Sequence, residues 1–422
     1  MIDQQMTEQI GQISLSNKPF PSPEFTNKLE ELVTKIPFGG ASTFSTTPVI
    51  IDEDYIENSH RLCQILNSIL VMFAYNYSRD ERLQQVYQLD KELNDILMMA
   101  EGIPYEIGMY RPDFVFDLNG QRRICEIGCR YPVNGWLMSG YLNQVSSELA
   151  GAVGENFTGV EGLNDYLQEL GDRFDEGDTV FLVRKDPKRY KQDYLLKEFT
   201  ALGITVKDIQ PEDLTLEDGN LKVGDEIARQ FFLEMDREEL KTFDPNVLNT
   251  MIKSGRCLND VRTLILVHDK RVLCALYNQQ IMASYVNQDD YKFLLNFLIP
   301  SFIIGNEKDQ ELLINSPENW VLKKNSGGRG IDMYIKSECD KETWDNVVKN
   351  HWSEYMVQPY VQQKQFELTE NDATDAVSLV GLDLYFNGRS FGPGLFRAST
   401  ESTTNVNNGK SLILPCLVEK SS

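Results

Sequence analysis

The segment WVLKKNSGGRGIDMYI, residues 320–335, sets Lys323 and Lys324 at the end of a short apolar run, with Gly327, Gly328 and Gly330 directly behind them. Glycines without a Cβ let the backbone turn sharply and lie close to a ligand. Backbone N–H groups in such a loop cradle phosphate oxygens, and a lysine adds a point charge. The competing reading is a hairpin turn with solvent-facing lysines. No Gly-Lys-Ser/Thr follows the loop, so it is not a Walker A motif.

Four other stretches carry groups of similar character. In YRPDFVFDLNGQRRICEIGCRYP, residues 110–132, two apolar runs flank Asn119-Gly120, the strongest short-range hairpin signal. Antiparallel pairing through that turn brings Asp113 and Glu126 to one end of the hairpin, with Arg111 and Arg130 nearby. Two carboxylates there suit a hard cation such as Mg2+ shared with ligand phosphates; solvated strand-end charges are the alternative. The run VHDKRVLCALY reads as a strand ending at His268-Asp269-Lys270-Arg271 and opening a helix at Val272. Lys270 at such a junction reaches a phosphate over the helix N-terminus, or is an ordinary charged helix start. YMVQPYV, residues 355–361, offers an extended backbone beside Gln358, Tyr360 and Val361 that can pair with an adenine edge, and Pro359 marks an edge or a strand end. In FGPGLFRASTESTTNVNNGK, Arg397 follows a Gly392-x-Gly394 turn, where it can stabilise charge on a transferring phosphoryl or acyl oxygen. Asn405 is a ligand or a turn residue.

The elements that must position these groups read as a mixture of helices and strands. Residues 1–50 are polar and proline-broken, a loosely ordered entry or a covering arm. Residues 57–100 show apolar positions three and four apart, as helices do. DTVFLVR, ITVKDIQ and TLILVHDKR read as strands, YLLKEFTALG as a helix ending at Gly203, and residues 320–415 as strand-rich. Alternating helices and strands with hairpins at both ends give an α/β or α+β class. The 422 residues divide into two or three parts. A net charge of −23 opposes binding to nucleic acid or anionic membrane. The first residues lack a basic start and an apolar stretch, so no signal peptide is expected, and no run is long enough to span a membrane. Seven scattered cysteines without a CxxC pair indicate a reduced, cytoplasmic protein. Cys125 and Cys129 read as packing residues.

Taken together, the five stretches resemble the ATP-grasp ligases, and their order resembles the circularly permuted group that includes the glutathionylspermidine synthases. The carboxylate hairpin comes first, and Lys270, Lys323, the glycine loop, the Gln358–Val361 strand, Arg397 and Asn405 follow. The resemblance covers residues 105–145 and 263–415. It implies ATP and Mg2+ as cofactors. Lys270 and Lys323 would hold the phosphates under the Gly327, Gly328 and Gly330 loop. Gln358, Tyr360 and Val361 would frame adenine, and Asp113, Glu126 and Asn405 would hold the metal. Arg397 and Arg111 would act on the acyl phosphate. The sequence departs from the family's Glu-x-Asn at Gly128, which removes a metal ligand that Asn405, Asn134 or water would have to replace.

The implied division is a helical segment with the metal-binding hairpin over residues 1–150, an αβ substrate domain resembling a pre-ATP-grasp domain over 151–262, and the ATP-binding lysines, lid loop and hinge over 263–422. The implied activity joins a small-molecule carboxylate to an amine through an acyl phosphate, releasing ADP and phosphate. An amino acid, peptide or polyamine is the candidate acceptor class, and a homodimer is the family-style expectation. The alternatives are acyl loading onto a carrier-protein thiol, a kinase, and a scaffold with a decayed site.

Overall fold

A computed structural model describes residues 11–32, 43–130, 135–175, 177–185, 193–328, 330, 332–370, 372–402 and 411–421. Asn134 and Asn405 lie outside the described residues.

Two antiparallel sheets position the site. The strands are β1 (Met109–Phe116), β2 (Arg122–Gly128), β3 (Phe302–Ile303), β4 (Trp320–Lys324), β5 (Met333–Ile335), β6 (Tyr355–Pro359), β7 (Phe366–Glu370), β8 (Ala373–Phe386), β9 (Arg389–Ser399) and β10 (Ser411–Leu414). The larger sheet has the order β10-β9-β8-β1-β2, with β7 also paired to β8. The smaller has the order β3-β6-β4-β5 and is backed by helices Glu307–Asn315 and Lys341–Asn350. Lys336 locks that backing by donating to the carbonyls of Leu313, Ile314 and Ser316 at 2.7, 3.2 and 2.6 Å, the last-turn acceptors a helix leaves open. β6 lies between β3 and β4, so it is an interior strand and not an edge; Pro359 is its final residue, where a missing N–H is tolerated.

The Asn119-Gly120 hairpin forms as its sequence requires, with Gly120 at φ 78°. Its ladder has one irregularity. Asp113 faces Glu126 and Phe114 faces Ile124, so Cys125 is an extra, bulged residue.

A second face-to-face constraint lies behind the larger sheet. Val115 faces the site, so Phe116 and its partner Arg122 point the other way. Arg122 is 1% exposed there. It bonds Ser59 Oγ at 2.7 Å, Asp383 Oδ2 at 3.3 Å and the Tyr55 carbonyl at 3.2 Å, and its guanidinium lies 3.6 Å over the Tyr55 ring. Ser59 and Tyr55 belong to helix Glu53–Asn76, which the arginine pins to the sheet.

A parallel sheet, Cys257–Leu258, Gln230–Leu233, Val180–Val183 and Val206–Ile209 in spatial order, stands beside the hairpin. Helices Glu81–Tyr87 and Lys91–Met99 continue the expected helical N-terminal part. Among the described residues no helix is long and apolar enough to cross a membrane.

Three expectations are corrected. The described part of residues 1–50 is no loose arm: Ile13–Leu15 pairs Val49–Ile51, which pairs Cys416–Glu419. TLILV is not a strand but a π-helical turn, Thr263–Val267, closed by the His268 N–H on the Thr263 carbonyl at 3.0 Å. Its residues are buried on all sides, a pattern that apolar periodicity cannot tell from a strand. Gly392 and Gly394 form no turn before Arg397 but lie within β9. A Cβ on Gly394 would come within 2.4 Å of Ser139 Oγ, so that glycine serves close packing against helix Trp136–Val153.

Arg122→Leu leaves Asp383 buried and unpaired, and should destabilise the fold by about 3–5 kcal/mol. A chemical-denaturation midpoint lowered accordingly at neutral pH is the expected result.

Candidate active site between the two sheets

A cavity of about 170 Å3 separates the two sheets. Its wall includes Asp113 and Glu126 from the hairpin, Lys270 from the loop after the π-turn, and Lys323 from β4. Gly328 and Gly330 come from the loop, Gln358, Tyr360 and Val361 from β6 and its exit, and Arg397 from β9. Ten residues expected from five separate stretches therefore share one wall. Two do not line it. The Gly327 carbonyl accepts from Lys270 Nζ at 2.7 Å, at the edge of the cavity. Arg111 stands across the ladder from Gly128, and its guanidinium covers Gly128 and Gly135; a Cβ at Gly128 would meet Nη2 at 3.0 Å. The side-chain space above Gly128 thus belongs to Arg111.

The larger sheet places its charges by register. Val380 pairs with Arg397 on one side and Val115 on the other, so Arg397 reaches across β8 to Asp113, two residues along β1. Arg397 Nη2 meets Asp113 Oδ2 at 2.5 Å. Asp113 Oδ1 is buried without a partner among the described residues. The bulge turns the Cys125 carbonyl toward β4, where it accepts from Lys323 Nζ at 2.9 Å. Lys324 instead forms ion pairs with Asp332 at 3.2 Å and Glu354 at 3.7 Å, which leaves Lys323 as the ammonium aimed at the larger sheet. Burial lowers the Lys323 pKa from the ordinary lysine range.

Lys270 is fixed by its neighbours. Asp269 is buried between Arg237 and Arg271; Arg271 Nε and Nη2 reach it at 3.0 and 2.6 Å. The Lys270 N–H donates to the Asn325 carbonyl at 3.0 Å, tying this loop to the end of β4. Lys270 Nζ lies 3.8 Å from Glu126 Oε2. Burial alone would raise the Glu126 pKa, but Lys270, His268, Lys323 and Arg397 outweigh it and hold the carboxyl down at about 2.

The far end is less charged. Val115, Ile299, Val321, Ile335 and Val380 form apolar walls that motif reading passed over; their signal is the alternation within each strand. Gln358 is 1% exposed, its amide donating to Ser301 Oγ at 2.8 Å. Residues 360–365 carry the chain from the smaller sheet to the larger along this end. Cys129 is a buried packing residue as expected, whereas Cys125 lines the cavity. Asp236 carries no motif in the sequence; it is ion-paired at 2.5 Å with Arg130, which borders the glycine loop at Gly328.

Because the Glu126 pKa falls below its unfolded value, its contribution is present above about pH 4.5 and lost as pH drops toward 2. Glu126→Gln should therefore be less stable than the wild type at pH 7. The difference should shrink on acidification through that window, as read from denaturation midpoints at several pH values.

Comparisons with known proteins reach parts of this chain. The family model for the AnkG N-terminal domain matches residues 62–266, taking in the carboxylate hairpin and stopping short of Lys270. The phosphoribosylaminoimidazole-succinocarboxamide synthase of Lacticaseibacillus casei (strain BL23) is 33% identical over 89 residues, 19% of this chain and 37% of that protein. The match thus spans little more than a third of that relative's length. A RimK domain ATP-grasp protein from Sphaerobacter thermophilus is similar at 14% identity and a TM-score of 0.31, over 57% of this chain and 90% of that one. At that TM-score the superposition is too loose to bear on function, which rests on the site itself.

Proposed function

We propose that this chain is an ATP-dependent carboxylate–amine ligase of ATP-grasp type, with its motifs in circularly permuted order. The observation that carries the reading is the shared cavity wall: residues from Asp113 to Arg397 meet between two antiparallel sheets, with lysines and carboxylates at one end and apolar walls at the other. That polarity fits a nucleotide, triphosphate toward Lys270 and Lys323 and base toward Gln358, Tyr360 and Val361. The relative named above is by its name a carboxamide synthase, in keeping with amide formation.

Mg2+ fits the donor set. Asp113 and Glu126 face each other in register, and Asp113 retains a buried, unpartnered oxygen. They would hold the ion together with phosphate oxygens. Such an ion neutralises phosphate charge during phosphoryl transfer. Asn405 remains the candidate third ligand, since Arg111 fills the space above Gly128.

In the reaction, a substrate carboxylate oxygen attacks the γ-phosphorus of ATP and ADP leaves. The amine then attacks the acyl carbon, phosphate leaves, and the nitrogen loses a proton. Lys270 and Lys323 orient the phosphates, and Arg397 stabilises the acyl phosphate; Arg111 orients the hairpin end from outside the cavity. The cavity is smaller than the roughly 300–1,000 Å3 usual for ligand sites. Binding therefore requires the glycine loop to lift, exchanging the Lys270–Gly327 bond for phosphate contacts. We place the helical and hairpin part at 1–150, the substrate domain at 151–262 and the ATP-binding part at 263–422, in a cytoplasmic protein acting on small molecules, as a homodimer.

Calorimetry with a non-hydrolysable ATP analogue should show magnesium-dependent binding to the wild type that Glu126→Gln loses. Absence of binding under every condition would favour a scaffold with a decayed site, for which Gly128 is the supporting observation. Lys323→Ala should lower ADP release by more than about a hundredfold at unchanged fold, the scale of losing a charged contact in a desolvated site. Free amide among the products, against carrier-bound acyl or phosphorylated product, separates the ligase from the alternatives.

A further inference from the structure

His268 is 7% exposed, and the ligase reaction as drawn does not use it. Its Nδ1 accepts the Cys129 backbone N–H at 3.4 Å, so the hydrogen of the neutral ring is on Nε2. Nε2 is buried and has no hydrogen-bond partner among the described residues. A donor left in that state is costly, and an unpaired buried donor in a native fold calls for an explanation.

The surroundings point to an anionic oxygen. The charged groups facing the imidazole are Arg130, Lys270, Glu126 and Asp236, and the two cations act on it more strongly than the two carboxylates. Burial, with Arg130 and Lys270, lowers the His268 pKa, in keeping with the neutral ring that accepts the Cys129 N–H at Nδ1. Arg130 also borders the glycine loop: a Cβ on Gly328 would lie 3.2 Å from its Nη2.

The topology makes an independent case. In the parallel sheet, Val180–Val183 has Val206–Ile209 on one side and the later Gln230–Leu233 on the other. The chain reverses its winding direction between them, and ligands of such sheets bind outside the carboxyl ends of the strands at that switch point. Asp236 lies just past the carboxyl end of Gln230–Leu233 and is ion-paired with Arg130, the residue that borders the glycine loop at Gly328.

We infer that His268 Nε2–H and Arg130 bind the carboxylate of the acyl substrate, at the carboxyl edge of the parallel sheet and beside Lys270. The inference rests on the ligase reading. It makes His268 a substrate-binding residue, and it sets the attacking carboxylate on the side of the phosphates away from the base.

The test is calorimetric titration of acetate, glutamate and succinate into protein saturated with magnesium and the non-hydrolysable ATP analogue. At least one of them should bind the wild type in the millimolar range or tighter. His268→Leu should weaken that binding about tenfold or more, the loss of a hydrogen bond to a charged group. His268→Gln, whose amide offers a donor near the Nε2 position, should recover most of it. In the wild-type protein, the imidazole Nε2–H proton resonance of His268 should move downfield on adding the carboxylate; with only three histidines, assignment is direct.

Carboxylate binding equal in His268→Leu and wild type would overturn the assignment, as would no carboxylate binding to the nucleotide complex. A tenfold loss of nucleotide affinity in His268→Leu, with carboxylate affinity unchanged, would overturn it in favour of a nucleotide phosphate as the partner. If the wild type bound no nucleotide, the ligase reading would fail first, an outcome read in a separate titration.

Discussion

The site depends on opposite charges being held close together where they are only partly exposed to water. Lys270, Lys323 and Arg397 converge on Glu126 and Asp113, and each cation arrives from a different part of the chain. Coulomb attraction between such groups is several times stronger than in water, and so is the penalty for leaving any of them uncompensated. The scaffold answers that penalty locally. Arg397 takes one oxygen of Asp113, the Cys125 carbonyl takes the Lys323 ammonium, and Gly327 takes Lys270. The two neutral carbonyls are weaker partners for an ammonium than a phosphate, so the contacts of Lys323 and Lys270 are exchangeable.

Two devices keep the charges where they are. One is the bulge at Cys125, which spends a ladder position to turn a carbonyl across the gap between sheets. The other is the Asp269 cluster, which fixes the loop through residues adjacent to Lys270 so that Lys270 itself stays available. Arg111 and Gly128 form a third pairing, in which the missing side chain makes room for a guanidinium instead of a ligand.

Much of this was legible in the sequence because it is local. Asn119-Gly120 specified a hairpin, and antiparallel pairing then put Asp113 opposite Glu126. The glycines after Lys323 specified a loop at the end of a strand. What failed was information that belongs to the packed state. Thr263–Val267 is apolar on every side because it is buried on every side, so its sequence reads equally well as a strand, and only the surrounding helices select the π-turn. Gly392 and Gly394 looked like turn residues; Gly394 is instead constrained by the helix packed against β9, and Gly392 by its φ of 77° and the nearby Val160. Gln358-Pro359 suggested an edge or a strand end; the proline does end its strand, but that strand is interior. Asp236 carries no motif, and its importance comes from where the parallel sheet ends. Both Lys323 and Lys324 line the cavity, but Lys324 is paired with Asp332 and Glu354 while Lys323 donates to the Cys125 carbonyl, a division invisible until the sheet is folded.

The central sheet pairs β1 with β8, and Arg122 and Asp383, its deepest ion pair, are 261 residues apart in the chain. This has a consequence for synthesis. A nascent chain emerges with its early hairpin first, and the partner edge of β1 has nothing to bond until β8 has left the ribosome. During that interval an apolar hairpin presents an open ladder edge, the geometry that invites association between chains. Closing so distant a pairing is also slow, because the entropy of the intervening loop is lost before the contact is gained. The arrangement that lets one sheet gather chemistry from both ends of the polypeptide thus makes the newborn protein dependent on delayed, late-stage closure.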